Sequence, residues 1–435
     1  MDLSASTRDA VDEIVSRTRA ATRAPSLIAA VVRDGAVVHV SGDGTTPVPD
    51  AGLQYRIGSI TKSLTAALVL GLRDAGRLDL DDPVDAHLPG ARLRGVRLRH
   101  LLSHASGLQR EPDGLWWERH PGGSLDELLA GCGEAKLAFG RYQRFHYSNL
   151  AYGLLGGIVA RLTAGSWWDA VSSRLLVPLG MTRTTYQATE PFARGYVLHP
   201  WDDSMREEPR EDAGAMAPAG QLWSTIDDLA RFVAALTGHH PSVLAPATVD
   251  EMAHPAVIAD LESWSHGYGY GLQLWRRGER VFIGHTGSMP GYLAVVVVHR
   301  PTSTGVVAFA NTYTLAGTGI ARVGIEILEA VLSAEPVRTP PSRPRTAPAP
   351  PHARPLLGRW FWMGREYEAL WSGDDQLVIV APSEEWCFVP EGVDRWRGVT
   401  GEQAGEILAV LRDPTGAVTG LDIATFVLRR EPMAD

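Results

Sequence analysis

The chain is poor in the features that mark several functional classes. Its 435 residues include two cysteines, Cys132 and Cys387, in different predicted regions, so we expect no disulfide and a reducing compartment. The formal net charge is -9, and no long block of lysine and arginine is present, which argues against nucleic acid as a main partner. No apolar run is long enough to span a bilayer, so we expect no membrane partner.

Signals for metal binding and for export are also missing. The sequence contains no His-Glu-x-x-His pattern, and the adjacent His239 and His240 lie in a predicted loop without a carboxylate cluster. We therefore expect neither a metal nor another cofactor. The first residues lack a basic segment followed by an apolar one, which is the pattern of a secretory signal. The sequence thus favours a cytoplasmic location.

The order of the predicted elements indicates an α+β fold. An amphipathic helix at residues 7–23, capped by Thr7 or Ser6, precedes a β-hairpin that turns at Asp34-Gly35. Three more β-prone segments and a final helix come late, at residues 281–287, 292–298, 305–309 and 320–332. Because early and late strands flank a helical middle, we expect the two ends of this region to share one sheet.

The C-terminal part of the chain has a different composition. Residues 334–355 are rich in Pro, Arg and Ala and predict an extended linker, either a mobile tether or an ordered strap. Residues 356–435 carry short β-prone runs between turn signals, which predicts a small antiparallel barrel or sandwich. Tryptophans are frequent there, and a tryptophan-rich core is favoured over an aromatic-lined binding face. The remaining residues, 1–333, form the first predicted domain.

A serine and a lysine stand three residues apart at the start of a predicted helix, in Ser59-Ile60-Thr61-Lys62. Positions i and i+3 share a helix face, so the lysine amine would lie beside the serine hydroxyl. A serine hydroxyl is a weak nucleophile at neutral pH and needs a base nearby, which requires that burial or neighbours lower the pKa of the lysine. The pair alone is a weak signal, because an exposed helix lysine is usually only solvated.

Two further stretches supply groups that such a pair needs. Phe145-His146-Tyr147-Ser148-Asn149 offers Tyr147 to relay a proton to the leaving group and Asn149 to hold the lysine or a substrate amide. A buried structural tyrosine is the alternative interpretation. His285-Thr286-Gly287 lies on a predicted strand, where glycine would let the backbone approach the substrate. The N–H groups of Ser59 and Ser288 would then form an oxyanion hole.

Together these stretches resemble the serine β-lactamase and penicillin-binding-protein superfamily, whose motifs are Ser-x-x-Lys, Tyr-x-Asn or Ser-x-Asn, and Lys-Thr-Gly or His-x-Gly. The resemblance covers residues 8–333 and implies an antiparallel sheet flanked by helices, with a helical subdomain. It implies that Ser59 is the nucleophile and that Lys62 and Tyr147 are the general base and acid. The residues that it assigns to substrate binding are Asn149, His285, Thr286 and Gly287. The tyrosine in the second motif is typical of the class C and esterase-like branch.

One position departs from the antibiotic-related members of this superfamily. In β-lactamases and cell-wall transpeptidases a lysine usually opens the third motif and helps to hold the substrate carboxylate, whereas this chain has His285. A neutral imidazole is a weaker anchor for an anion, so β-lactam hydrolysis is disfavoured. The histidine is similar to that of esterases, D-amino-acid peptidases and penicillin-binding-protein-type thioesterases.

The leading interpretation is a thioesterase of non-ribosomal peptide biosynthesis, since a small lipocalin-like domain after the catalytic domain resembles that group. Such an enzyme takes a peptide delivered as a thioester on a peptidyl carrier protein and joins its ends through a D-configured acyl donor residue. The alternative is a cytoplasmic esterase or D-amino-acid peptidase, because the same organisation of two domains also resembles D-aminopeptidase-like members of the superfamily. A catalytically silent binding protein is disfavoured, because Ser59, Lys62 and Tyr147 are all present.

Overall fold

The computed structural model divides the chain into two compact units, Met1–Val337 and Arg338–Asp435. The residues that it describes are 2–202, 204–315, 317–336, 348–372, 375–381 and 385–432. Residues 337–347, the middle of the predicted linker, lie outside the described residues. The described ends of that linker belong to the units, since Ala334 ends a helix and Ala353 is buried in the core of the second unit.

The first unit combines long and short helices with a large sheet. The helices in its described part are α1 (Ala5–Thr22), α2 (Ile60–Asp74), α3 (Val84–His87), α4 (Leu98–Leu102), α5 (Leu125–Ala130), α6 (Asn149–Thr163), α7 (Trp167–Val171), α8 (Val177–Leu179), α9 (Ala217–Gly220), α10 (Ile226–Leu236), α11 (Pro246–Ala253) and α12 (Ile320–Ala334). The strands are β1 (Ser26–Arg33), β2 (Ala36–Gly44), β3 (Tyr55–Arg56), β4 (Tyr196–Leu198), β5 (Met205–Glu207), β6 (Trp223–Ser224), β7 (Val257–Ile258), β8 (His266–Tyr268), β9 (Gln273–Arg277), β10 (Arg280–Met289), β11 (Tyr292–His299) and β12 (Thr304–Ala310). Most of the helical middle lies between β3 and β7.

An antiparallel sheet, with eight strands in the part of the chain that the structure describes, organises this unit. Its strand order is β2-β1-β12-β11-β10-β9-β8-β7. β1 pairs with β12 along its length, from Leu27 opposite Ala310 to Arg33 opposite Thr304. The prediction that early and late strands share one sheet is therefore confirmed. Because successive side chains point to opposite faces, Val295 packs towards α1 and α12 while Val296 packs towards the helical middle.

The first helix begins earlier than the sequence pattern predicted. Ser4 caps α1, because its hydroxyl accepts a hydrogen bond from the N–H of Thr7 at 3.2 Å. The assignment of Thr7 or Ser6 as the cap was wrong, since both residues already lie within the first turn of α1. The helix that carries Lys62 ends at Asp74, and Gly76 follows with a φ of +67°, a conformation that favours glycine.

The second unit is a near-closed antiparallel barrel. In the described residues its strands follow one another in sequence order, as β13 (Gly358–Trp362), β14 (Arg365–Ser372), β15 (Gln376–Val380), β16 (Glu385–Gly392), β17 (Arg395–Gly398), β18 (Ile407–Arg412), β19 (Val418–Ile423) and β20 (Phe426–Leu428). Reciprocal backbone hydrogen bonds between Phe361 and Arg429 join the first strand to the end of the last. Alternate side chains point inwards and form an apolar core that includes Trp360, Phe388 and Trp396.

The described part of the chain contains no helix that is both long and apolar enough to cross a membrane. Cys132 and Cys387 are free thiols, one in each unit.

Candidate active site

Ser59 and Lys62 meet at the start of α2. Ser59 is the residue before the helix, with φ −64° and ψ −7°, and Lys62 stands one turn further on. Its Nζ is 2.9 Å from Ser59 Oγ and donates a hydrogen bond to the carbonyl oxygen of Ala219 at 2.6 Å. The lysine side chain is fully buried, whereas Ser59 is partly exposed. The i, i+3 spacing therefore places a buried amine against a partly exposed hydroxyl.

Burial changes the protonation of Lys62. Desolvation is the dominant effect and lowers its pKa to about 7. The carboxylates of Glu118 and Glu111 oppose this shift, and the guanidinium of Arg110 adds to it. An uncharged amine is therefore well populated at neutral pH, which an ordinary exposed lysine does not provide. A free lone pair beside a serine hydroxyl can accept its proton.

Tyr147 completes a group of three polar side chains. Its hydroxyl lies beside the Ser59 side chain, and its ring centroid lies 5.1 Å from Lys62 Nζ. Burial raises the pKa of Tyr147, so this phenol keeps its proton at neutral pH. It stands just before α6, whose N-cap Ser148 accepts from the N–H of Ala151 at 3.1 Å.

His104 fixes the position of Tyr147 from behind. The two rings stack with centroids 4.2 Å apart, and His104 Nδ1 accepts a hydrogen bond from the N–H of Ser148 at 3.0 Å. His104 is fully buried, and desolvation holds its pKa well below the usual value, so the imidazole is neutral. The stacked ring restricts Tyr147 at both its side chain and its adjoining backbone.

The third motif brings a strand backbone against the start of α2. A Cβ on Gly287 would lie 1.8 Å from the carbonyl oxygen of Ile57, and one on Gly58 would lie 2.5 Å from Ser288 N. Gly58 also has a φ of +51°, so a side chain there would be both strained and blocked. These contacts require glycine at both positions and bring the backbone N–H of Ser288 close to that of Ser59, as two oxyanion donors require.

His285 is held as a neutral ring inside the protein. It is 1% exposed, and desolvation lowers its pKa to about 3. Its Nδ1 donates to the carbonyl oxygen of Thr286 at 2.6 Å, and its Nε2 accepts from the hydroxyl of Tyr268. Both ring nitrogens thus have partners within the protein. Thr286, on the opposite face of the strand, donates through its N–H to Gln273 Oε1 at 3.0 Å.

Asn149 opens α6 and contacts an acidic residue. Its Nδ2 donates to Glu111 Oε1 at 2.7 Å, while its buried Oδ1 has no partner among the described residues. Glu118 lies nearby, and burial together with the charge of Glu111 raises the pKa of its carboxyl to about 7. Lys62 acts on Glu118 in the opposite direction. The charges of the Lys62 amine and of this carboxyl therefore each influence the pKa of the other.

Sequence reasoning missed several of these groups. Glu111 and Glu118 lie in a loop without periodicity, and the carbonyl of Ala219 has no side-chain signature. Tyr268 lies on β8, a whole strand before the third motif. That its hydroxyl reaches this motif follows only from the pairing of β8, β9 and β10. Within the described residues, no three His, Cys, Asp or Glu side chains are grouped so that they could hold a metal ion.

Known families match both units. Residues 11–325 match the family described as Beta-lactamase, and residues 349–430 match a domain of unknown function, DUF7586. A human β-lactamase-like protein is 30% identical over 373 residues, which is 80% of this chain and 72% of that protein. The chain spans 57% and 59% of the length of two further curated relatives.

Solved structures resemble either about three quarters of the chain or nearly all of it. A D-stereospecific amidohydrolase from Streptomyces sp. is 25% identical with a TM-score of 0.63, covering 75% of this chain and 99% of that one. SurE is also 25% identical, with a TM-score of 0.61, and covers 98% of this chain and 99% of its own. The first similarity leaves a quarter of this chain uncovered, whereas the second extends over almost all of it.

Proposed function

The chain belongs to the β-lactamase family, a family of serine hydrolases, and from that premise we propose that it transfers the acyl group of a peptide through an ester on Ser59. The observation that carries the proposal is the buried Lys62, whose amine lies 2.9 Å from Ser59 Oγ and has a pKa lowered to about 7. Burying a lysine in its neutral form lowers the stability of the fold, and a role as the base for the serine proton accounts for its position.

Acylation follows from the positions of these groups. The neutral amine of Lys62 takes the proton of Ser59 as Oγ bonds to the substrate carbonyl carbon. The N–H groups of Ser59 and Ser288 stabilise the resulting oxyanion. When the carbonyl reforms, the bond to the leaving group breaks, and the protonated Tyr147 supplies the proton that this group takes away. Lys62 then returns its proton to Tyr147, which leaves an ester on Ser59 and an uncharged amine.

The second half of the reaction uses the same groups in reverse. An incoming amine or water bonds to the ester carbon and gives a proton to Lys62, and Ser59 recovers a proton as its ester bond breaks. Water yields a free acid, whereas the N-terminal amine of the same peptide yields a macrocycle. The neutral, enclosed His285 offers no positive charge to a substrate carboxylate, which is why we rank β-lactam hydrolysis lower.

In its finer form, the proposal is a thioesterase that releases and macrocyclises a non-ribosomal peptide with a D-residue at the acyl donor end. Two findings support it. The chain has a β-lactamase-family unit followed by a small barrel, an organisation that resembles penicillin-binding-protein-type thioesterases as well as D-aminopeptidase-like enzymes. SurE also matches over nearly the whole of both chains. A peptidyl carrier protein in the cytoplasm would then present the substrate, without metal or other cofactor.

A linear peptide with a D-residue at its C-terminus, activated as an N-acetylcysteamine thioester, tests the proposal. We expect a product lighter than the free acid by one water, a transient ester on Ser59 detected by intact mass, and little turnover of the L-epimer. The Ser59→Ala variant should give neither product nor adduct. Free acid alone would contradict cyclisation but keep the acyl-enzyme, and an equal adduct on Ser59→Ala would contradict both.

A second candidate is hydrolysis of D-configured amides or esters. The observation that favours it is the match to the D-stereospecific amidohydrolase, which is as similar in sequence as SurE but covers 75% of this chain. Short D-amino-acid amides and p-nitrophenyl esters distinguish the two candidates. If these are cleaved more efficiently than the peptidyl thioester, as judged by kcat/KM, hydrolysis of small D-substrates is the better description.

A further inference from the structure

The second unit contains a cavity of about 340 Å³ at one end of its barrel. Several of its walls are side chains from alternate positions of the strands, and these positions point into the barrel: Trp362, Arg365, Tyr367, Trp386, Ile423 and Phe426. A barrel of eight strands is just wide enough to be filled by side chains or to hold one small ligand. In this barrel, side chains fill one end and a cavity remains at the other.

The strand register separates the two ends. Trp362 pairs with Arg365 beside the turn between β13 and β14, and Ile423 pairs with Phe426 beside the turn between β19 and β20, so both pairs lie at the cavity end. Trp371 lies at the other end of β14, where its ring centroid is 6.0 Å from that of Trp396. The opposite end is therefore filled by large side chains, and the open volume is confined to one mouth.

Residues that precede β13 also pack against the filled end. His352 stacks on Trp396 with centroids 6.0 Å apart, and Ala353 and Leu356 are buried in the barrel core. The carbonyl oxygen of Leu356 accepts the indole N–H of Trp360 at 2.7 Å. One end of the barrel is thus closed by packed side chains, whereas a cavity remains at the other end.

Aromatic rings dominate the cavity walls. Trp362 and Phe426 meet edge to face with centroids 4.9 Å apart, and Tyr367 and Trp386 lie 5.6 Å apart. The indole N–H of Trp386 is buried and has no hydrogen-bond partner among the described residues. A buried donor without a partner is costly, whereas a ligand with an acceptor atom would satisfy it. Flat aromatic walls with few polar groups are typical of small-molecule sites.

The mouth of the cavity carries a charge that suits an anionic group. Arg365 lines it, is exposed, and forms no ion pair with any described carboxylate. The cavity lining also includes the exposed Glu402 and the buried Gln403. We propose that this cavity binds a small planar aromatic molecule that bears a carboxylate, with its ring among Trp362, Tyr367, Trp386 and Phe426 and its carboxylate on Arg365. The same chemistry is offered by a simple aromatic acid and by an aromatic amino acid, whose ammonium group would face Glu402.

Binding of 2-naphthoate to the full-length protein, followed by isothermal titration calorimetry, tests the assignment. We expect saturable binding with one site per chain, about tenfold weaker after Arg365→Gln and similarly weaker after Phe426→Ala. The uncharged 2-naphthamide should bind less tightly and should be unaffected by Arg365→Gln. Phenylalanine in place of naphthoate, with Glu402→Gln as its matched variant, distinguishes an amino acid ligand from a simple acid.

Two controls keep the experiment decisive. Trp371→Phe changes an aromatic ring at the filled end and should leave the affinity within about twofold, and Ser59→Ala should bind as the parent protein does. Thermal melting establishes that each variant is folded. No saturable binding by the parent protein, or binding that survives both Arg365→Gln and Phe426→Ala, would overturn the assignment. Binding abolished by a covalent adduct on Ser59 would also overturn it, because the ligand would then occupy the first unit.

Discussion

The two units bury different kinds of side chain. The core of the first includes a lysine, two histidines and an asparagine, at Lys62, His104, His285 and Asn149, each exposed by 4% or less. In the second unit, Gln403, at 8% exposed, is the one buried polar residue among those described, and the core is aliphatic and aromatic. Burying polar groups lowers stability unless they find partners. The first core therefore holds polar side chains at the proposed active site, whereas the second core is packed almost entirely from apolar side chains.

Replacing the proposed nucleophile gives the largest expected effect. In the proposed reaction no ester forms without the hydroxyl of Ser59, so Ser59→Ala should lower kcat/KM with a peptidyl thioester by about 10⁴-fold or more. Its stability should change little, because the side chain is partly exposed. Steady-state kinetics and chemical denaturation of the same preparation measure both quantities.

The matched control lies in the same helix. Ser63 is buried and donates to the carbonyl oxygen of Gly271 at 2.7 Å, so Ser63→Ala should destabilise the protein by about 1–3 kcal/mol and retain acylation. A Ser59→Ala variant with more than a hundredth of the parent activity would contradict the assignment of the nucleophile.

Removing a large ring from the second core gives the largest expected effect on stability. Trp360 is fully buried, so Trp360→Ala should lower the free energy of unfolding of the barrel by about 3–5 kcal/mol. Hydrogen exchange followed by mass spectrometry should show faster exchange in peptides of residues 358–428. Val393→Ala, at a position that is 92% exposed, should stay within about 0.5 kcal/mol of the parent protein. Equal effects of the two substitutions would contradict the packing difference.

The sequence predicted the fold more completely than the site. Hydrophobic periodicity and the Asp34-Gly35 turn located the hairpin, and the shared sheet followed from the order of strands and helices. These features depend on local patterns and on a few rules of topology. The cap of α1 was misplaced because Ser4, Ser6 and Thr7 are all good capping residues, and only the geometry of the first turn distinguishes them.

Within the site, the motifs located residues but not their environment. The spacing of Ser59 and Lys62 predicted their contact, because a helix fixes it. The lowered pKa of Lys62 depends on its complete burial, and the enclosure of His285 depends on the hydroxyl of Tyr268. Contacts between residues so far apart in the chain follow from tertiary packing, which no local pattern specifies.

The pH dependence of acylation tests the chemistry of the first core. Lys62, the proposed base, can accept a proton only when it is uncharged, so kcat/KM should rise as the pH increases through about 7 and then level off. The negative charge of Glu118 favours the ammonium form, and Glu118→Gln should therefore move the rise to lower pH by up to about one unit. Glu134→Gln, at an exposed pair with Arg141, serves as the control and should not move it. A shift to higher pH would contradict the coupling of Glu118 to Lys62.

The smallest expected effect comes from removing one hydroxyl from each core. Tyr268 donates its hydroxyl proton to the buried Nε2 of His285, so Tyr268→Phe leaves that nitrogen without a donor and should cost about 1–2 kcal/mol of unfolding free energy. Tyr367 is also buried, but its hydroxyl forms no hydrogen bond with the described residues, and Tyr367→Phe should cost less than about 0.5 kcal/mol. Urea denaturation compares the two variants. Equal costs would show that the polar groups of the first core depend on their hydrogen-bond partners no more than the rings of the second core do. The two units would then differ only in the types of residue that they bury.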